Sequence, residues 1–201
     1  MTVGTTAAVF VDRDGTLIRD VGYLRKPEQI EILPRVAEAI KALRGRELKV
    51  IVLTNQSGIA RGLLRESDLG PIHRELERRL ADRGASLDGI YYCPHHPTEG
   101  LDPYRLSCDC RKPKDGMARR AAADLNLDLR RSYVAGDQPT DMKIALSIGA
   151  KGIRIRDEGG HRRQAQGKRE KEDGDVLVVR DLWEAAQWIL QDLEARRAGR
   201  K

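Results

Sequence analysis

Aromatic residues are scarce in this 201-residue chain, at 4%, with one Phe, two Trp and five Tyr. So few stacking platforms argue against a single-stranded nucleic-acid binder, even though the net charge is +6. The 37 basic residues are interleaved with 31 acidic ones, so the excess reads as a soluble surface with some affinity for anions rather than a phosphate-backbone track. The densest basic runs are Arg162-Arg163, 168–171 and 196–201. Long apolar runs are also missing: nothing approaches the roughly 20 residues of a membrane span. The first eight residues lack the basic start and long apolar core of a secretory signal, so a cytoplasmic protein with no membrane partner is expected. Cysteines number three, an odd count confined to 93, 108 and 110, which excludes a disulfide framework and fits a reducing compartment.

What is present is an alternation. Val- and Ile-rich runs at 7–12, 48–54, 89–92, 132–136, 152–156 and 176–179 read as strands, separated by helical periodicity at 34–43, 66–80, 116–125, 141–148 and 182–193. Repeated βαβ units imply an α/β fold: a Rossmann-like parallel sheet with helices on both faces. The length allows one domain over 1–201, acting as a monomer, with a small cap made of loops. Two segments break the alternation: the Pro-rich stretch 93–110, and 157–175, polar enough to be an exposed, mobile loop. His73 on the second helix and His161 in the polar loop are expected at the surface; Trp183 and Trp188, at helical spacing, are expected as core or interface anchors.

The chemistry begins where the first strand ends, at Asp12-Arg13-Asp14-Gly15-Thr16. Open α/β sheets place ligands at the carboxyl ends of their strands. Alternation along a strand would turn Asp12 and Asp14 to one pocket and Arg13 away. A carboxylate can accept a phosphoryl group as a mixed anhydride, and a second acid can protonate the leaving oxygen and then deprotonate water. Asp12 suits the first task and Asp14 the second. Two anions facing a phosphate require a cation, and Mg²⁺ with its oxygen shell is expected. Asp137, after the fourth strand, supplies a further acid for it; Asp141, one turn on, is read as orienting that loop. Thr54, in Thr54-Asn55-Gln56-Ser57-Gly58 after the second strand, and Lys112 supply donors to the phosphoryl oxygens.

In the Pro-rich stretch, Cys93-x-His95 and Cys108-x-Cys110 offer three thiolates and an imidazole, a tetrahedral set for structural Zn²⁺, with three clustered free thiols as the alternative. Such a zinc loop would order residues just before Arg111 and Lys112.

Asp12-x-Asp14, Thr54, Lys112 and Gly136-Asp137, in that order, resemble the four motifs of the haloacid dehalogenase superfamily of aspartate-dependent, Mg²⁺-requiring phosphatases. The longer strings Asp12 to Thr16, Thr54 to Gly62, Tyr91-Tyr92-Cys93-Pro94-His95-His96-Pro97 and Cys108-Asp109-Cys110-Arg111-Lys112-Pro113 are similar to the D-glycero-D-manno-heptose 1,7-bisphosphate phosphatases, with histidinol-phosphatase domains as close relatives. The resemblance implies hydrolysis of a small phosphorylated sugar, the 7-phosphate of a heptose 1,7-bisphosphate first, with histidinol phosphate as substrate or non-catalytic anion binding on the same fold as the alternatives. It further implies Mg²⁺ held by Asp12, the main-chain carbonyl of Asp14 and Asp137, and substrate contacts at Asp20, Val21, Gly22, Tyr23, Thr54, Asn55, Gln56, Ser57, Arg111 and Lys112. Arg61, Arg111 and Lys112 are available for a second phosphate. One departure stands out: Gln138 occupies the place where the heptose enzymes carry Lys, removing a charge that would help hold a sugar phosphate.

Overall fold

The computed structural model describes residues 6–156, 169–170 and 176–198. Its backbone is one seven-stranded sheet in the order β3-β2-β1-β4-β5-β7-β6, in which the first six strands of that order pair in parallel and β6 adds an antiparallel edge. The strands are β1 (Ala8–Val11), β2 (Lys49–Asn55), β3 (Gly89–Cys93), β4 (Tyr133–Gly136), β5 (Lys151–Ile155), β6 (Arg169–Glu170) and β7 (Val176–Val179). The helices are α1 (Val36–Arg44), α2 (Leu69–Ala81), α3 (Gly116–Leu125), α4 (Pro139–Ile148) and α5 (Leu182–Ala198). The six expected strands and five expected helices are all there.

β1 is buried at all four positions, as a central parallel strand covered on both faces must be. Its side chains divide between two cores. Val9 and Val11 join Val50, Val52 and the inner faces of α1, α2 and α5, whereas Ala8 and Phe10 join Ile51, Leu53 and the inner faces of α3 and α4. Trp183 and Trp188 pack against the first core, as expected.

The boundaries that moved have local causes. The first helix was expected from Pro34, but Arg35 takes a left-handed turn (φ 60°), so α1 starts at Val36. Residues 66–68 form a separate 3₁₀ turn, which delays α2 to Leu69. Pro139, its φ already suited to a first turn, opens α4 two residues early. Of the expected mobile loop 157–175, residues 169–170 form the edge strand β6 and the remainder, His161 included, lies outside the described residues. His73 is a correction: it is half-buried, with Nε2 buried and unpartnered, and burial and the charge of Arg13 lower its pKa to about 4. The residue preceding it, Ile72, belongs to the core, so that turn of α2 is drawn inward.

β1 lies between β2 and β4, and Val11 is level with both Val52 and Ala135. Three strand ends therefore meet at one edge. Asp12 continues from there, its N–H donating to the Ala135 carbonyl at 3.1 Å.

Candidate active site

Lys112 is the hub of that edge. It is 4% exposed, and its ammonium donates to Asp141 Oδ1 at 2.7 Å and the Leu53 carbonyl at 3.0 Å, and pairs with Asp12 Oδ1 at 2.8 Å. Three N–H groups thus meet three acceptors. Burial alone would lower the lysine pKa, but Asp12 and Asp141 outweigh it and keep the ammonium charged. Asn55 sets the backbone from which Lys112 projects, since its amide both accepts from the Lys112 N–H (3.0 Å) and donates to the Lys112 carbonyl (3.2 Å).

Around Lys112 stand three carboxylates. Asp12, Asp137 and Asp141 place an oxygen each within 4.8 Å of one another. One lysine leaves those three carboxylates with two uncompensated negative charges, an arrangement that burial makes unfavourable. Desolvation, the leading cause for all three, raises their pKa values, Asp12 to about 6; Asp141 and Asp14 push Asp12 further up while Lys112 pulls it down. Asp137 Oδ1 is buried without a hydrogen-bond partner. Excess charge, an orphaned oxygen and an all-oxygen donor set fit a hard divalent cation. Asp12 and Asp137 have the freer oxygens. Asp141 spends one oxygen on Lys112 and the other on the Gln138 N–H at 3.2 Å.

Two glycines make this crowding possible. A Cβ on Gly15 would lie 2.6 Å from Asp137 Oδ2, and one on Gly136 would lie 2.3 Å from Asp141 Oδ2. Gly15 also has φ +77°, which an L side chain resists. The Asp137 carboxyl consequently rests on the turn that carries Asp14.

Both contacts to Asp12, from Lys112 and from the Arg13 N–H at 2.7 Å, fall on Oδ1. Oδ2 remains for attack. Asp14 is placed differently from the strand-alternation expectation. β1 ends at Val11, so 12–14 is a turn without strand periodicity, and Arg13 folds inward to grip Asp14 with Nη2 at 2.9 Å. Gln56 joins them, donating to Asp14 Oδ2 (3.2 Å) and to Thr54 Oγ1 (2.7 Å). The amides of Asn55 and Gln56, expected at substrate, are thus engaged with protein groups.

A cleft of about 50 Å³ beside these groups is lined by Arg13, Asp14, Gly22, Tyr23, Asn55, Gln56 and Ser57, among others. Asp20 and Val21 are not in that lining; Asp20 Oδ1 instead accepts from the Gly22 N–H at 2.7 Å and shapes the turn. The Tyr23 ring covers Gly58, where a Cβ would meet it at 3.0 Å.

The second cluster is sulfur-rich. Sγ of Cys93 is 3.5 Å from Sγ of Cys108, which is 3.2 Å from Cys110, and His95 Nδ1 lies 3.4 Å from Cys110 and 3.7 Å from Cys93. A tetrahedron with Zn–S of ~2.3 Å has S···S edges of about 3.8 Å, so these four atoms fit one zinc ion. All three thiols are free, and burial pushes that of Cys93 up. His96 faces away from the set, its Nδ1 accepting from the Glu99 N–H at 2.9 Å. Arg111 donates to the His95 carbonyl at 3.0 Å, which ties the loop to the segment bearing Lys112.

Sequence reasoning missed three features. Arg13 as a buried partner left no trace beyond its place between two acids. Asp141 in the acid cluster was signalled by its i+4 spacing from Asp137. Glu66, which accepts from Tyr92 (2.9 Å) and Tyr104 (2.6 Å) and so fastens the start of α2 to the zinc loop, had no local signature.

A HAD-hydrolase-like family model matches residues 109–185. Over 146 residues the chain is 42% identical to the D-glycero-beta-D-manno-heptose-1,7-bisphosphate 7-phosphatase of Escherichia coli (strain K12), covering 72% of this chain and 76% of that one. The enzyme of the same name from Pasteurella multocida (strain Pm70) is 44% identical over 149 residues, 74% of this chain and 78% of its own. This chain belongs to that phosphatase family. Among solved structures, the family's D,D-heptose 1.7-bisphosphate phosphatase from B. bronchiseptica, complexed with magnesium and phosphate, superposes with a TM-score of 0.76 at 33% identity, over 93% of this chain and 99% of that one. The family thus pairs this fold with magnesium, and the Asp12–Asp137–Asp141 cluster is where such an ion fits.

Proposed function

We propose that the chain hydrolyses D-glycero-β-D-manno-heptose 1,7-bisphosphate at its 7-phosphate, with Mg²⁺ bound by Asp12, Asp137 and the Asp14 carbonyl. Supporting this reading above all is the convergence of Asp12, Lys112 and Asp137 at one buried edge in a chain 42% identical to a phosphatase of that name. Asp12 Oδ2 attacks phosphorus while the bond to the sugar oxygen breaks. Asp14, as the general acid, passes a proton to that oxygen. Water then attacks the aspartyl phosphate, giving its proton to Asp14 and releasing Asp12 and inorganic phosphate. Mg²⁺, when bound, supplies positive charge that lets an anionic phosphate approach two carboxylates. Lys112 holds Asp12 Oδ1 fixed throughout, and the Thr54 hydroxyl is a donor for a phosphoryl oxygen.

Tyr23 and Ser57 line the mouth, and Arg111, tied to the His95 carbonyl, and Arg61, ion-paired with Glu99, are the cations we assign to the second phosphate. The four-residue sulfur and imidazole set holds Zn²⁺ as a structural ion. Three free thiols gathered on one such set favour a cytoplasmic protein. No helix among the described residues is long and apolar enough to cross a membrane. We read 1–201 as a single catalytic domain that works as a monomer.

The test is phosphate release by purified protein from the heptose bisphosphate, other sugar phosphates and histidinol phosphate, with and without Mg²⁺. The heptose bisphosphate should give the highest kcat/KM, with turnover lost on Mg²⁺ removal and restored on its return. A higher kcat/KM for histidinol phosphate would replace the substrate assignment, and no release from any of them would end the enzymatic one.

A further inference from the structure

Arg13, at 1% exposure, is the most buried charged side chain among the described residues. Its guanidinium is aimed at one partner. Nε and Nη2 donate to Asp14 Oδ1 at 3.3 and 3.1 Å, and Nη2 also reaches Asp14 Oδ2 at 2.9 Å. Nη2 further donates to Gln56 Oε1 at 3.0 Å, while Gln56 Nε2 returns to Asp14 Oδ2 at 3.2 Å and to Thr54 Oγ1 at 2.7 Å. Arg13, Asp14 and Gln56 therefore close a ring, and Thr54 hangs from it.

As a device for stability this ring is a poor choice. A buried ion pair often contributes no more than apolar side chains of the same volume, and here Nη1 is left buried without any partner. As a device for aiming a carboxyl it is well suited. Asp14 sits in a turn beyond the end of β1, so neither strand nor helix fixes its side chain. The planar guanidinium restrains both its oxygens at once, which an ammonium cannot do. Gln56 connects the same carboxyl to the hydroxyl beside the phosphoryl site.

We propose that Arg13 is a positioning residue for the reaction: with Gln56 as its second arm, it holds the Asp14 carboxyl on the line along which the leaving oxygen receives its proton and water later gives one up. The inference rests on the reading of Asp14 as the acid and base. Arg13 itself, at 1% exposure, acts through Asp14.

Leaving groups separate this role from a structural one. An alkoxide leaves a sugar phosphate only when protonated, whereas p-nitrophenolate leaves p-nitrophenyl phosphate unaided, and kcat/KM reports the step in which that bond breaks. Arg13→Lys keeps the charge and removes the fork. It should lower kcat/KM for the heptose bisphosphate about 30-fold, a part of the roughly 10²- to 10⁴-fold that general acid catalysis supplies, and for p-nitrophenyl phosphate less than about 3-fold. Asp14→Asn should show the same contrast more deeply, and the double variant should be no slower than Asp14→Asn alone. Equal losses on both substrates in Arg13→Lys, or a further loss added to Asp14→Asn, would overturn the inference. A flat response of Asp14→Asn across the two substrates would instead overturn the reading of Asp14. Thermal unfolding reports whether Arg13→Lys folds. If it does not, Gln56→Asn, whose shorter amide withdraws from Asp14, should show the contrast at about 5-fold, and its absence there overturns the inference as well.

Discussion

The two ion sites of this molecule are built on opposite principles. The acid cluster stands on the ends of β1 and β4 with Lys112 between, backed by two cores and positioned by the sheet whether or not an ion is present. The sulfur cluster draws one thiol, Cys93, from the end of β3 and its other three ligands from irregular segments. In the first the fold organises the ligands. In the second a bound zinc ion would organise the loop, because a Pro-rich segment with so few apolar side chains buries too little to order itself. Disturbing the first should change chemistry and the stability of the whole sheet, and disturbing the second should loosen one loop.

Lys112→Met offers the largest contrast. It leaves Asp12 and Asp141 buried without their cation, so stability should fall by about 3–5 kcal/mol in denaturant titrations without Mg²⁺, and turnover should drop at least about 100-fold. Mg²⁺ should recover part of the stability and little of the rate. Next in size is removal of zinc, by chelation or by Cys108→Ser. Proteolytic cutting within 94–107 should accelerate and KM should rise several-fold through the Arg111–His95 link, before kcat changes. Zinc-free protein with unaltered KM and protection would show that the loop orders itself.

Gly15→Ala sharpens the comparison from the acid side. The added methyl strikes Asp137 in a backbone conformation that costs about 1–2 kcal/mol for an L residue, so Mg²⁺ affinity measured by activation should weaken about 10- to 100-fold while zinc content stays unchanged. The smallest effect is that of pH on the Mg²⁺-free protein. Asp12, Asp137 and Asp141 have pKa values raised in the folded state, Asp12 from 3.8 to about 6, so the folded form binds more protons than the unfolded one between those values. Stability should accordingly fall as pH rises from about 4 to 6, and the stabilisation on adding Mg²⁺ should be larger at pH 7 than at pH 5. Carboxylates held low by arginines, such as Asp115 and Glu184, act in the opposite sense below about pH 5, where the unfolded chain takes up their protons, so the fall due to the cluster is read between about pH 5 and 6. A Tm that climbs between about pH 5 and 6 would contradict the charge excess inferred for the cluster.

Much of this was legible in the chain. Strands buried on both faces write themselves as continuous Val and Ile runs, and the acids at their ends are placed by topology alone. The order Asp12, Thr54, Lys112, Asp137 could be read because three of the four stand at the end of such a run, with Lys112 falling between the third run and the fourth. What resisted reading depends on side chains meeting across long separations. That Arg13 turns inward follows from β1 ending at Val11, one residue earlier than its apolar pattern suggests. That Asn55 serves Lys112 is a contact between residues 57 apart. The Glu66 tether requires Tyr92 and Tyr104, 26 and 38 positions away, to arrive together.

That tether carries a consequence for how the protein could be re-tasked. Glu66 moors the sulfur-rich loop and the end of β3 to the 3₁₀ turn that leads into α2, and the turn at 20–23 is shaped by its own aspartate. The turn that carries Tyr23 and the loop between His95 and Cys108 are thus hung on scaffolding separate from the residues that cleave the ester. Transplanting both entrance segments from a relative, with residue 66 kept as an acid, should retarget the enzyme to another phosphorylated metabolite while its hydrolytic apparatus stays untouched.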